Sequence, residues 1–133
     1  MTGEAPLEGR AVGGDGAAPR AFGRRGEALA AAWYEAAGYV VLERNWRSPF
    51  GGELDLVCCR GGLLVVCEVK ARRSDRHGSP LEAVDERKRR QLRRLAAQYL
   101  AASPRARHGS QVRFDVAVVA GSAGVEVVED AFA

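Results

Sequence analysis

With 133 residues, 47% of them hydrophobic and 28% charged, the chain has the size and make-up of one soluble globular domain. No apolar run approaches the roughly 18 residues that a transmembrane helix needs. The opening MTGEAPLEGRAVGGDGAAPR lacks the apolar stretch of a secretory signal, so a cytoplasmic protein is expected, with no membrane partner.

The net charge of +3 is unevenly spread: twelve Arg or Lys against four acids between Ala71 and Arg113 leave that stretch at +8 and the rest at −5. A basic half beside an acidic half suits a polyanionic partner next to a cation-binding or catalytic cluster. An Arg-rich solvated helix face is the alternative. The cysteines, Cys58, Cys59 and Cys67, form no CxxC pair, and His77 and His108 show no metal spacing. They read as small apolar residues in a reducing compartment.

In chain order, residues 1–21 are rich in Gly, Ala and Pro without periodicity and read as a disordered tail; residues 22–133 form the folded domain. From Gly23 the pattern is helical, with Ala28, Leu29, Ala32, Trp33 and Ala36 at three- and four-residue steps, and Gly38 ends it. Tyr39 to Trp46 alternates as a strand, and SPFGG makes a turn. ELDLVCC and LLVVCEVK are two strands joined at Gly61-Gly62. Residues 71–80 are a polar loop, with a short helical turn starting at Ser79-Pro80. Asp85 is placed to N-cap a helix from Glu86 to about Ala102, whose apolar stripe is Leu92, Leu95, Ala96 and Tyr99. VRFDVAVVA and VEVVEDAF are the last strands. The order α-β-β-β-α-β-β predicts a mixed β-sheet flanked by α-helices, an α/β or α+β domain.

The hairpin carries the chemistry. A two-residue Gly61-Gly62 loop suits a type I′ turn and sets Arg60 opposite Leu63. In that register Asp55 faces Glu68 and Glu53 faces Lys70. Alternation puts all four on one patch, with Leu54, Leu56, Val65 and Cys67 pointing the other way. Directly opposed like charges repel, so Asp55 and Glu68 need a proton or a cation between them. Mg²⁺ suits two carboxylates whose remaining coordination comes from water and phosphate. Lys70 is in reach to orient a nucleophile or stabilise developing charge. A plain solvent face with a Glu53–Lys70 ion pair is the other reading.

Asp55 followed by Glu68-Val69-Lys70 resembles the PD-(D/E)XK nuclease signature. GRRGEALAAAWYEAAGY, NWR, GGELDL, EVKAR, RFDVAVV and DAF, in that order, resemble the YraN family of uncharacterised bacterial proteins, from about Gly23 to Phe132. The resemblance implies a restriction-endonuclease-like fold similar to that of archaeal Holliday junction resolvases. By that likeness Asp55 and Glu68 match metal-binding carboxylates, Lys70 the catalytic lysine, and Glu27 a further acid that caps the metal site. Glu53 matches the family's GE-x-D glutamate, acting around the metal or holding Lys70. Leu54 stands where the superfamily signature has proline. The implied function is a Mg²⁺- or Mn²⁺-dependent endonuclease acting on DNA, branched or structured DNA included, with a homodimer in keeping with resolvases. The alternative is a nucleic-acid-binding protein that keeps the fold but cleaves weakly or not at all.

Arg47 reads as a phosphate contact or a turn-stabilising side chain. Arg72, Arg73, Lys88 and Gln91 are further candidates for nucleic-acid contact, with His77 and its loop as a flap. Trp33, Trp46 and Tyr99 read as core. Arg113 and Asp115 read as outward residues pairing with neighbours.

Overall fold

The computed structural model describes residues 17–72, 84–106, 111–120 and 124–133, without the side chains of residues 17–24, 72 and 105. The elements are α1 (Ala17–Ala36), β1 (Val40–Arg47), β2 (Glu53–Arg60), β3 (Leu63–Arg72), α2 (Glu86–Ala102), a 3₁₀ turn at Pro104–Ala106, β4 (Gln111–Ala120) and β5 (Val125–Phe132). This is the expected α-β-β-β-α-β-β order. The sheet runs β1-β2-β3-β4-β5. Among the described strands, only β3 and β4 pair in parallel. A parallel pair needs a long crossover, and α2 lies in that connection.

The two helices cover opposite faces. Leu54, Val57, Leu64 and Val66 pack with Leu92, Leu95 and Tyr99 of α2. Leu56, Cys58, Val65 and Cys67 pack with Ala30, Ala31 and Tyr34 of α1. Strands buried on both sides read as continuous apolar runs, which is why β3 and β4 show little alternation. Gly26 lets α1 lie close to the sheet, since a Cβ there would sit 3.3 Å from Val119 Cγ2.

The second helix is as expected. Asp85 caps it, its side chain accepting from Lys88 N–H at 2.9 Å, and Leu92, Leu95, Ala96 and Tyr99 are its buried residues. The first helix differs. It begins at Ala17, ahead of Gly23 and inside the segment read as tail. Its buried face is Ala30, Ala31 and Tyr34 with Trp33 half-buried, whereas Ala28, Leu29, Ala32 and Ala36 are exposed. Every phase of EALAAAWYEA offers an apolar stripe, so the pattern could not choose. Tyr34 decides, because its buried hydroxyl donates to Asp115 at 2.5 Å.

The hairpin register is as expected from Arg60↔Leu63 to Leu56↔Cys67. The turn differs in detail: Gly61 has φ 60° but Gly62 is not among the positive-φ glycines, the φ pattern of type II′ rather than I′. Both turns twist with the strands, so the register survives.

Asp115 overturns the outward reading of RFD. It is fully buried and accepts from Arg113 Nε and Nη2 at 2.9 Å, from the Tyr34 hydroxyl and from Asp130 N–H. Asp130 has φ 55°, where the β4–β5 register shifts between Phe114 and Val116. Charge inside a strand is tolerated here because each lone pair has a donor. The Ser79-Pro80 turn and the His77 loop lie outside the described residues.

Candidate functional site

The site forms where the hairpin opens. The β2–β3 ladder stops at Leu56↔Cys67, so Asp55 does not sit across a regular rung from Glu68. Its side chain turns into the gap, and Oδ2 accepts the Val69 N–H at 2.9 Å. Leu54 and Leu56, expected on one face, lie in the clusters beneath α2 and α1 respectively. Strand alternation is therefore broken around Asp55. On the neighbouring strand Asn45 takes φ 58°, a left-handed conformation that Asn tolerates better than most residues.

Glu68 follows on β3 and is only 4% exposed. Its Oε2 lies 3.4 Å from Lys70 Nζ and 3.4 Å from Lys88 Nζ. The second amine comes from the capped first turn of α2, so one buried carboxylate is held by a strand lysine and a helix lysine. Burial pushes the Asp55 carboxyl up to about 7, aided by the negative charge of Glu68, then of Glu27 and Glu53, and opposed by the Val69 N–H. Glu68, Glu27 and Glu53 are thus the acids whose charge raises Asp55.

Glu27 projects from α1 and its Oε1 accepts from Asn45 Nδ2 at 2.9 Å. The Glu53–Lys70 ion pair of the solvent-face reading is not formed: Glu53 Oε1 lies 3.6 Å from Arg47 Nε, while Lys70 turns to Glu68. With the ladder ended at Leu56↔Cys67, Glu53 and Lys70 are not registered cross-strand partners, and each pairs elsewhere. Arg47 is thereby an ion-pair partner of Glu53 with a side chain 83% exposed.

Lys88 and Gln91 line an open groove of about 500 Å³ on α2 with Asp85, Arg87, Arg90 and Arg94. Arg72 ends β3, but its side chain and the whole of Arg73 lie outside the described residues. Lys88 reads from the sequence as a nucleic-acid contact; its pairing with Glu68 has no sequence signal. Asn45, within NWR, holds the Glu27 carboxylate, a contact that the sequence does not announce. A left-handed Asn before a turn leaves no mark in a propensity pattern.

Among the described residues, no three His, Cys, Asp or Glu side chains converge as a ready-made cation cage. Two carboxylates do meet a smaller requirement. Asp55, with its proton affinity raised first by burial and then by surrounding acids, and Glu68 beside it are hard oxygen donors of the kind Mg²⁺ uses in pairs, with water and phosphate completing its shell. The donor set fits such an ion.

Fold and site define an α/β protein with an acid–lysine cluster at the splayed end of a β-hairpin and a basic helix beside it. The chain belongs to the uncharacterised protein family UPF0102, whose model matches residues 26–119. This agrees with the YraN-like motifs. A UPF0102 protein of Moorella thermoacetica is 48% identical over 118 residues, covering 85% of this chain and 96% of its own. One from Frankia casuarinae is 49% identical over 116 residues, covering 84% and 96%. One from Streptomyces coelicolor is 45% identical over 126 residues, covering 94% and 96%. No helix among the described residues is long and apolar enough to cross a membrane.

Proposed function

We propose that the protein is a divalent-metal-dependent endonuclease that hydrolyses phosphodiesters in DNA. The observation that carries this is the Asp55–Glu68–Lys70 cluster. Asp55 is turned into a strand gap and carries raised proton affinity, and Glu68 is buried against two amines. Acids that repel one another in a partly dry site make sense if a cation joins them.

Asp55 and Glu68 would hold the ion, Mg²⁺ or Mn²⁺, with Glu27 close enough to add to the field. Such an ion supplies Lewis-acid stabilisation and a more acidic water. The rest is done by the chain. The Val69 N–H fixes the Asp55 carboxyl in one orientation. Lys70, with its side chain 39% exposed, can release Glu68 and place its ammonium against a phosphate oxygen, where charge grows in the transition state. Lys88 keeps Glu68 in place as Lys70 does so. Arg47 and the α2 groove with Lys88, Gln91, Arg87, Arg90 and Arg94 would hold the sugar–phosphate backbone, with Arg72 and Arg73 as further phosphate contacts, which makes binding salt-sensitive. Branched or structured DNA as substrate, a homodimer and a cytoplasmic location belong to the same reading.

One observation favours a second reading, a nucleic-acid binder of this fold that does not cut. Glu68 is already neutralised by two ammonium groups, and no third acid joins the pair among the described residues. The deciding experiment incubates the protein with linear, flapped and four-way-junction DNA in Mg²⁺ or Mn²⁺, beside Asp55→Ala and Lys70→Ala. Cleavage that both variants lose supports the enzyme. Binding without cleavage by the wild-type protein supports the binder.

A further inference from the structure

The turn between β1 and β2 presents Phe50 with 82% of its surface exposed, against 58% for Val40 and 36% for Leu29 among the large hydrophobics. Leaving a phenylalanine in water forgoes the stabilisation that burying its ring would bring. Scattered apolar residues on a surface are ordinary, but the backbone that carries this one is held in place. Ser48 N–H donates to Gly52 O at 3.0 Å and Gly51 N–H to Ser48 O at 3.1 Å. Ser48 Oγ accepts from Phe50 N–H at 3.0 Å and itself donates to Gln98 Oε1 of α2 at 2.5 Å.

The turn is also docked beside the basic groove. Gly52 has φ +89°, and a Cβ there would lie 3.1 Å from Gln91 Nε2 and 3.1 Å from Leu95 Cδ1. Gln91 lines the groove with Lys88, and Lys88 reaches Glu68. A continuous path thus runs from the acid–lysine site along α2 to Phe50, with the exposed Arg47 three residues before it. The groove that the turn adjoins at Gln91 is cationic, with Arg87, Lys88, Arg90 and Arg94 against Asp85, so a second copy of this +3 chain or an apolar protein surface matches it poorly. A polyanion that also carries flat apolar rings matches both features.

We propose that Phe50 is a stacking platform for an unpaired base, and that it directs the protein to DNA containing single-stranded nucleotides next to a duplex. This rests on the nucleic-acid reading above and narrows it. An aromatic ring stacks on any base face, but the bases of an intact duplex offer none to the side. Backbone contacts in the groove would serve paired and unpaired DNA alike, while Phe50 would act only where a base is free.

The test measures affinity by fluorescence anisotropy with Ca²⁺ in place of Mg²⁺, for a blunt duplex and for the same duplex with a single-stranded flap. It compares wild type, Phe50→Ala and Phe50→Trp. The expected result is a loss of about tenfold or more for F50A on the flap, an unchanged affinity for the blunt duplex, and wild-type behaviour for F50W. A 2-aminopurine at the first unpaired position should change its fluorescence with wild type and F50W but not with F50A. An equal loss on both DNAs, or no loss on either, overturns the proposal while leaving DNA binding standing. Sedimentation showing a dimer that F50A abolishes without DNA assigns the residue to self-association and also overturns it. A wild-type protein that binds neither DNA removes the nucleic-acid reading and this one together.

Discussion

Asp55→Asn should stabilise the metal-free protein, and only above mildly acidic pH. The carboxyl rises from 3.8 to about 7 in the folded state, so the folded chain binds its proton more tightly than the unfolded chain. Below pH 3.8 the group is protonated in both states and contributes no difference. As pH rises through the window to about 7 the unfolded state ionises first, and stability falls; above that it is flat. At about 1.4 kcal/mol per unit the full shift is worth about 4 kcal/mol, and screening at a partly exposed carboxyl trims this to about 2–3 kcal/mol. Asn keeps an oxygen to accept the Val69 N–H and removes the charge. Urea unfolding in EDTA at each pH from 4 to 8 should therefore show D55N level with wild type at the acid end and ahead of it by that amount at pH 8. A wild-type–D55N difference that stays constant across the range would show that neither burial nor the neighbouring acids raise the Asp55 carboxyl, and the electrostatic account of the site would fall with it.

Asp115→Ala should cost about 3–5 kcal/mol, because it strands the Arg113 guanidinium, the Tyr34 hydroxyl and the Asp130 N–H around a fully buried position. Calorimetry should show a fall in Tm of roughly 10 °C or more, and a change within a degree or two would mean the cluster is not structural. Gly52→Ala combines a positive φ with contacts at 3.1 Å to Gln91 and Leu95; a loss of about 1–3 kcal/mol in the same measurement is expected, and an unchanged Tm contradicts the docking of the turn on α2. Lys88→Ala should lower the slope of log Kd for DNA against log salt by about 0.9 if its ammonium reaches a phosphate. An unchanged slope would confine Lys88 to holding Glu68.

Much of the site was legible because it depends on short-range geometry. A two-residue loop at Gly61-Gly62 sets the register of the hairpin whichever primed turn it adopts, and Asp85 sets the phase of α2. What the sequence concealed depends on distant partners. Asp55 is expected across a rung from Glu68, but the ladder ends at Leu56↔Cys67, and opposite Asp55 on β1 lies left-handed Asn45, a neighbour that the pattern of β2 does not contain. Asp115 follows alternation in RFDVAVV and reads as outward; its burial depends on Tyr34, 81 residues away. The α1 stripe failed for the same reason, since Tyr34 and not the Ala/Leu spacing chooses the face.

The central claim is that Asp55 and Glu68 jointly bind a divalent cation. It is tested most directly by titrating Mn²⁺ and Mg²⁺ into the protein at pH 7 by calorimetry, with and without DNA, in buffers of different ionisation enthalpy. Saturable uptake with release of a fraction of a proton is predicted, since the Asp55 carboxyl, pushed up to about 7, must ionise fully to bind, and Asp55→Asn should abolish it. Absence of uptake even with DNA present, or uptake that D55N leaves intact, would contradict the account.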